Sequence, residues 1–167
     1  MISGLIDFSK ANTLTEDGLS PDEICLLVEL AHREGFAVML HTNGDRAANA
    51  AMDAKGESIE HGAFFSQETL LRIAKTRTLW VPTLSTVGNL RGKGRFDESA
   101  VQAILSHNLA NVHAFAAMGG LIAPGTDAGA WAVPHGSMTE FSLLESALGY
   151  TADTILSAGI SVLKEKF

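Results

Sequence analysis

The 167-residue chain reads as an α/β protein built on a parallel sheet. Two observations carry that reading. Short apolar runs alternate with segments whose apolar residues recur at helical spacing, the rhythm that gives parallel strands joined by right-handed crossovers. The helical segments also open on capping signals and close on glycine, which separates each helix from the strand that follows.

The elements follow in order. The opening "ISGLID" reads as a fragment of a strand. "SPDE" (20–23) combines a Ser cap, a Pro at the first helical position and a Glu three residues after the cap. Ile24, Leu27, Val28 and Ala31 then form an apolar stripe, and Gly35 supplies the stop. "FAVMLH" (36–41) reads as a buried strand, and Asp45 as the cap of an alanine-rich helix ending near Gly56. "SIEHG" (58–62) is the next strand, "SQETLLRIAK" a helix opened by Ser66, and "TLWVPT" (78–83) a third strand. Asp97 opens the longest helix, whose stripe is Val101, Ile104, Leu105 and Val112 and whose end is Gly119-Gly120. "LIAPGTD" is the last strand. "SMTE" (137–140) is a second capping box for a helix running to Gly149, and a short helix starts near Thr151. Nothing in the sequence marks a linker, so one domain over 1–167 is expected.

Composition narrows the function. Apolar residues at 46% and charged residues at 19% describe a chain that folds around a core. A net charge of −7 argues against nucleic acid, whose phosphates call for a basic surface. No apolar run approaches the roughly 18 to 20 residues that span a bilayer, and the N-terminus lacks a signal-peptide pattern. Cys25 is the single cysteine, which excludes an internal disulfide or a cysteine zinc cage. A cytoplasmic location is the expectation from these features.

In a parallel sheet every strand delivers its C-terminal end to the same edge, where ligands bind. "FAVMLH" ends on His41, "SIEHG" carries His61 near its end, and "LIAPGTD" ends on Asp127. Topology therefore makes these three residues neighbours. Neutral imidazoles and a carboxylate suit a divalent metal, usually zinc. Such an ion brings the pKa of bound water from 15.7 down to about 7, and a nearby aspartate can carry the released proton.

These pieces carry a family resemblance. "VMLHTNGDRAANAAMDAKGESIEHGAFF", "LWVPTL", "GGLIAPGTDAGA" and "VPHG" stand in the order found in the metal-dependent amidohydrolase superfamily, and the chain resembles its imidazolonepropionase-like and dipeptidase-like branch. The resemblance implies His41 and His61 as the fifth- and sixth-strand metal ligands, and Asp127 as a further ligand and the catalytic proton shuttle. It implies that His61 also helps orient the substrate. The family's first-strand His-x-His pair does not occur in this sequence, and its fourth-strand bridging residue would fall at or before Met1. The resemblance therefore implies a partial TIM-type (β/α) barrel of about four to five units, against eight in a closed barrel. It also implies one or two zinc ions in a site lacking part of its ligand set.

The expected activity is metal-dependent hydrolysis of a C–N bond in a dipeptide, another small amide or a cyclic amide. The alternative is a non-catalytic half-barrel, whose uncovered edges favour association between copies of the chain. Two flanking residues are candidates for substrate binding. Arg91, accompanied by Lys93 and Arg95 in "STVGNLRGKGRF" (85–96), suits a substrate carboxylate, although the glycines there equally fit a mobile solvated loop. His135, in "PHG", suits substrate contact or a solvent-exposed turn. Trp131 suits a pocket wall or packing against the last helices, while Asn43, Gly44 and Thr126 shape turns beside the ligands. His107 and His113 read as surface or helix-packing residues, and His32 as a favourable charge at a helix C-terminus.

Overall fold

The structure, a computed structural model, describes residues 2–10, 12–129 and 132–167. Among them, β1 (Met39–Gly44), β2 (Ser58–Phe64), β3 (Leu79–Val81) and β4 (Leu121–Ile122) form a parallel sheet in the order β1-β2-β3-β4. Spatial order follows chain order throughout, as in a barrel wall. A doubly wound sheet would instead reverse at a switch point. The helices are α1 (Pro21–Arg33), α2 (Asp45–Asp53), α3 (Gln67–Thr76), α4 (Ser85–Gly88), α5 (Glu98–Ala117), α6 (Thr139–Leu148) and α7 (Ala152–Lys166). None of the described helices is long and apolar enough to cross a membrane.

Register assigns the two faces of the sheet. Leu40, Ile59, Trp80 and Ile122 align across the four strands and face the helices. Their cluster takes in Ile24 and Val28 of α1, Ala48 of α2, Ile73 of α3, and Leu105 and Phe115 of α5. The Trp80 ring lies 5.2 Å from Phe115 and 5.9 Å from Phe65. Strand side chains alternate, so Leu79 and Val81 point to the opposite face. There they join Ala123 in a smaller cluster covered by Val162 and Leu163 of α7. Gly159 permits this approach, because a Cβ at that position would sit 2.5 Å from Pro124.

Local signals were realised where the chain alone could satisfy them. Ser20 and Glu23 form both halves of the capping box on α1, and α1 closes with Phe36 N–H on the Ala31 carbonyl and Gly35 N–H on the His32 carbonyl. Asp97 caps α5 by accepting from Ala100 N–H at 2.8 Å. Ser66 and Thr151 cap α3 and α7.

Other expectations change. β1 starts at Met39 rather than Phe36, which is 68% exposed, and it continues past His41 to Gly44. Leu27 is 53% exposed, while Ile24 and Val28 of the same predicted stripe are buried in the core. Asp45 is the first residue of α2 rather than its cap, and its carboxylate accepts from Ser66 N–H at 2.9 Å. β3 and β4 are shorter than the runs that suggested them, and α7 is longer. The opening residues do not form a sheet strand. Their backbone bond to β1 is Ile2 N–H to the His41 carbonyl, Ser3 and Gly4 accept from Asn43, and the segment then turns so that Ile6 bridges Leu14 antiparallel. Residues 85–88 form the short helix α4, with Val87 and Leu90 buried, so only the later part of that loop is solvated. The "SMTE" box does not form: α6 is capped at Met138 without a side-chain bond, and the Glu140 carboxyl is engaged elsewhere.

Candidate functional site

The C-terminal rim is built from unusual backbone. His61 at the β2 bulge (φ 75°), Thr83 after β3 (φ 46°) and Asp127 after β4 (φ 51°) all adopt left-handed conformations. Non-glycine residues rarely do so, least of all a β-branched threonine, and such geometry persists only where surrounding contacts impose it. The His61 carbonyl accepts from the Trp80 indole N–H at 2.7 Å, tying this turn to the core.

Two imidazoles meet at the rim. The His41 and His61 rings lie 4.4 Å apart, inclined at 66°. Burial holds the His41 pKa below its ordinary value, while a hydrogen bond to the Gly4 backbone acts in the opposite direction. Its Nε2 is buried and has no hydrogen-bond partner. His61 Nδ1 lies 2.6 Å from Thr83 Oγ1, and burial, with a smaller effect from His41, pushes its pKa down to about 4. Both rings are therefore neutral near pH 7. This is the form that ligates metals, with one nitrogen held by a neighbour and the other available.

Asn43 joins three segments beneath the pair. It donates from its backbone to Ser3 Oγ and from Nδ2 to the Gly4 carbonyl, and its Oδ1 accepts from Ala63 N–H. Glu60 lies in the same sheet, its carboxylate accepting from Ser58 Oγ at 2.5 Å. Burial raises its pKa, the serine bond opposes that effect, and the Asp127 charge adds to it.

His41, His61 and Asp127 all line one cavity of about 340 Å³, within the range of small-molecule sites. Its outer wall is the Phe8–Phe96 stack, with ring centroids 4.4 Å apart, and the Arg95 guanidinium lies 5.7 Å from the Phe96 ring centre. The donor chemistry of the two imidazoles, and the orphaned His41 Nε2 above all, fits a divalent ion. Yet among the described residues no three His, Cys, Asp or Glu side chains converge as a ligand set. The structure brings the three residues into one cavity without closing them on one point.

The remaining candidates disperse. Arg91 and His135 are exposed and stand outside the cavity lining, His135 packing near Gly129. Trp131 lies outside the described residues. His107 bonds Asn111 within α5, His113 reaches the Ala147 carbonyl, and His32 pairs with Glu57. Thr83 was not singled out from the sequence, and Arg95 was read there only as a companion of Arg91. Thr83 ends a predicted strand, the position that nominated the other site residues, and Arg95 belongs to the same basic loop as Arg91.

Comparisons with known proteins agree with this architecture. No family model matches the chain. An uncharacterized protein of Mycobacterium tuberculosis is 27% identical over 145 residues, covering 83% of this chain and 39% of that protein. Ochratoxinase of Aspergillus niger is 29% identical over 154 residues, covering 84% of this chain and 32% of the enzyme. The A. niger ochratoxinase crystal structure superposes with a TM-score of 0.71 at 25% identity, over 85% of this chain and 32% of that one. An Xaa-Pro dipeptidase with bound methionine in its active site superposes with a TM-score of 0.77 at 22% identity, over 99% of this chain and 42% of that one. The chain thus spans about a third to two-fifths of the length of these relatives, and its fold is that of part of an amidohydrolase barrel.

Proposed function

We propose that this chain carries part of the active site of a metal-dependent hydrolase that cleaves the C–N bond of a small amide, a dipeptide or a cyclic amide. The supporting observation is the pair of neutral imidazoles at adjacent strand ends, with His41 Nε2 buried and unpartnered. The names of the similar proteins, a dipeptidase and an ochratoxinase among them, support the hydrolase class. In this reading His41 and His61 hold zinc, and His61 is kept in orientation by Thr83. When bound, a divalent ion supplies Lewis acidity to a carbonyl and acidifies water. Asp127, exposed at the cavity mouth, accepts a proton there and returns it to the leaving nitrogen. Arg95, on the cavity wall where Arg91 is not, is the better-placed partner for a substrate carboxylate. The Phe8–Phe96 stack gives that side of the cavity an apolar wall.

A second reading, a non-catalytic half-barrel that associates with itself, draws support from Leu27, Phe36 and Met39, each more than half exposed around the β1 end of the sheet. One experiment separates the two. Metal analysis of purified protein, paired with solution mass, is expected to find zinc that disappears in His41→Ala and His61→Ala while the parent hydrolyses a simple dipeptide. A metal-free, inactive oligomer would establish the second reading instead.

A further inference from the structure

Glu140 lies on α6, distant in sequence from the rim, and it is completely buried. A carboxyl so placed needs partners, because burial without hydrogen bonds is costly. Its Oε2 accepts from Ser85 N–H at 2.8 Å, and its Oε1 has none. Ser85 in turn donates from Oγ to the Thr126 carbonyl at 2.7 Å, on the peptide unit leading into Asp127. Two residues before Ser85, Thr83 Oγ1 lies 2.6 Å from His61 Nδ1. One turn, residues 83–85, therefore touches the ends of two strands that carry site residues. It does so while Thr83 and Asp127 both hold left-handed conformations, an unfavourable one for the β-branched threonine. Thr86 strengthens the turn by donating from both its backbone N–H and its Oγ1 to the Thr83 carbonyl.

We propose that Glu140 is a positioning residue of the rim: by accepting from Ser85 N–H it fixes the 83–85 turn, which orients the His61 ring through Thr83 and the Thr126–Asp127 backbone through Ser85. The significance of this arrangement rests on the reading of His61 and Asp127 as site residues, but its test needs neither metal nor turnover. This also accounts for the fate of "SMTE". A glutamate placed for a capping box is used instead across the α4–α6 junction, where it holds a neighbouring element rather than its own helix.

The test compares Glu140→Gln, which keeps a carbonyl acceptor of the same shape, with Glu140→Met, which fills the space without one. Nitrogen–proton correlation spectra of the histidine rings and backbone amides of the metal-free chain give the readout. The expected result is that Glu140→Met shifts the His61 ring nitrogens and the Asp127 and Ala128 amides, and that Glu140→Gln restores the parent pattern. A folded Glu140→Met protein with parent-like His61 and Asp127 signals overturns the proposal, as does a Gln variant that behaves like Met. If Glu140→Met does not fold, Ser85→Ala decides the matter. That variant removes the hydroxyl and keeps the Ser85 N–H that Glu140 accepts, so it is expected to move the Asp127 and Ala128 amides and leave the His61 ring in place, and unchanged amides overturn the proposal. Loss of the hydrolase reading through absent zinc or absent turnover would leave these outcomes intact.

Discussion

The helix-covered body of the sheet and the rim at its strand ends both bury side chains, with opposite consequences. In the body, Leu40, Ile59 and Trp80 are at most 4% exposed and meet other apolar groups, so burial itself stabilises them. At the rim, the groups withdrawn from water are His41, His61, Glu60 and Glu140, and burial works against the charged form of each. The body therefore supplies the stability that lets the rim hold desolvated polar groups and left-handed backbone. A third condition lies at the β1 end of the sheet. Met39, one residue before Leu40, points to the opposite face and is 56% exposed.

The largest expected effect comes from breaking the body. Trp80→Ala removes a ring packed against Phe65 and Phe115 and the indole N–H that holds the His61 carbonyl. It is expected to cost about 3–5 kcal/mol, read from urea or guanidinium unfolding. A loss under 1 kcal/mol would show that the body is not closed as described.

The rim gives a pH-dependent effect of intermediate size. Burial pushes the Glu140 carboxyl up from 4.5 to about 8, so the folded chain holds this proton more tightly than the unfolded chain does. Its contribution is fully present below the unfolded pKa and is lost as pH rises through the folded one. Glu140→Gln cannot ionise. Relative to the parent it should therefore gain stability steadily between pH 4.5 and about 8, as measured by denaturant midpoints across that window. Parallel profiles for the two proteins would mean that the carboxyl ionises as freely when folded as when unfolded.

The smallest effect belongs to the open end. Met39→Ala should change stability by no more than about 0.5 kcal/mol, in contrast to Leu40→Ala at about 2–5 kcal/mol. Equal costs at these neighbouring positions would mean that the face carrying Met39 is covered in solution, and solution mass would then show whether a second copy covers it.

The features legible in the sequence were those satisfied within a few residues. The capping box at Ser20, the Asp97 cap and the alternation of strands with helices needed no distant partner. The nomination of His41, His61 and Asp127 used strand-end topology together with the family resemblance, and the structure places all three on one cavity. How closely they approach was not legible, because side-chain convergence depends on bulges and turns that spacing does not encode. Thr83 illustrates the gap: its side chain serves His61 through a left-handed backbone that the run "TLWVPT" does not announce. Arg91 and Arg95 share one loop and one composition, and only the packing of Phe96 on Phe8 brings the second to the cavity wall.

Glu140 shows the same limit from the other side. Its position in "SMTE" satisfies the local rule for a cap, and a backbone N–H on another element took the carboxyl instead.

By itself, then, the sequence determined the β/α alternation, most helix starts and the set of residues delivered to the sheet edge, because hydrophobic period and capping are local and strand direction is shared. Only the tertiary structure decided which flank of α1 stays exposed, which arginine reaches the cavity and which partner receives Glu140. Those outcomes depend on distances between elements far apart in the chain, set by how the helices pack on the sheet.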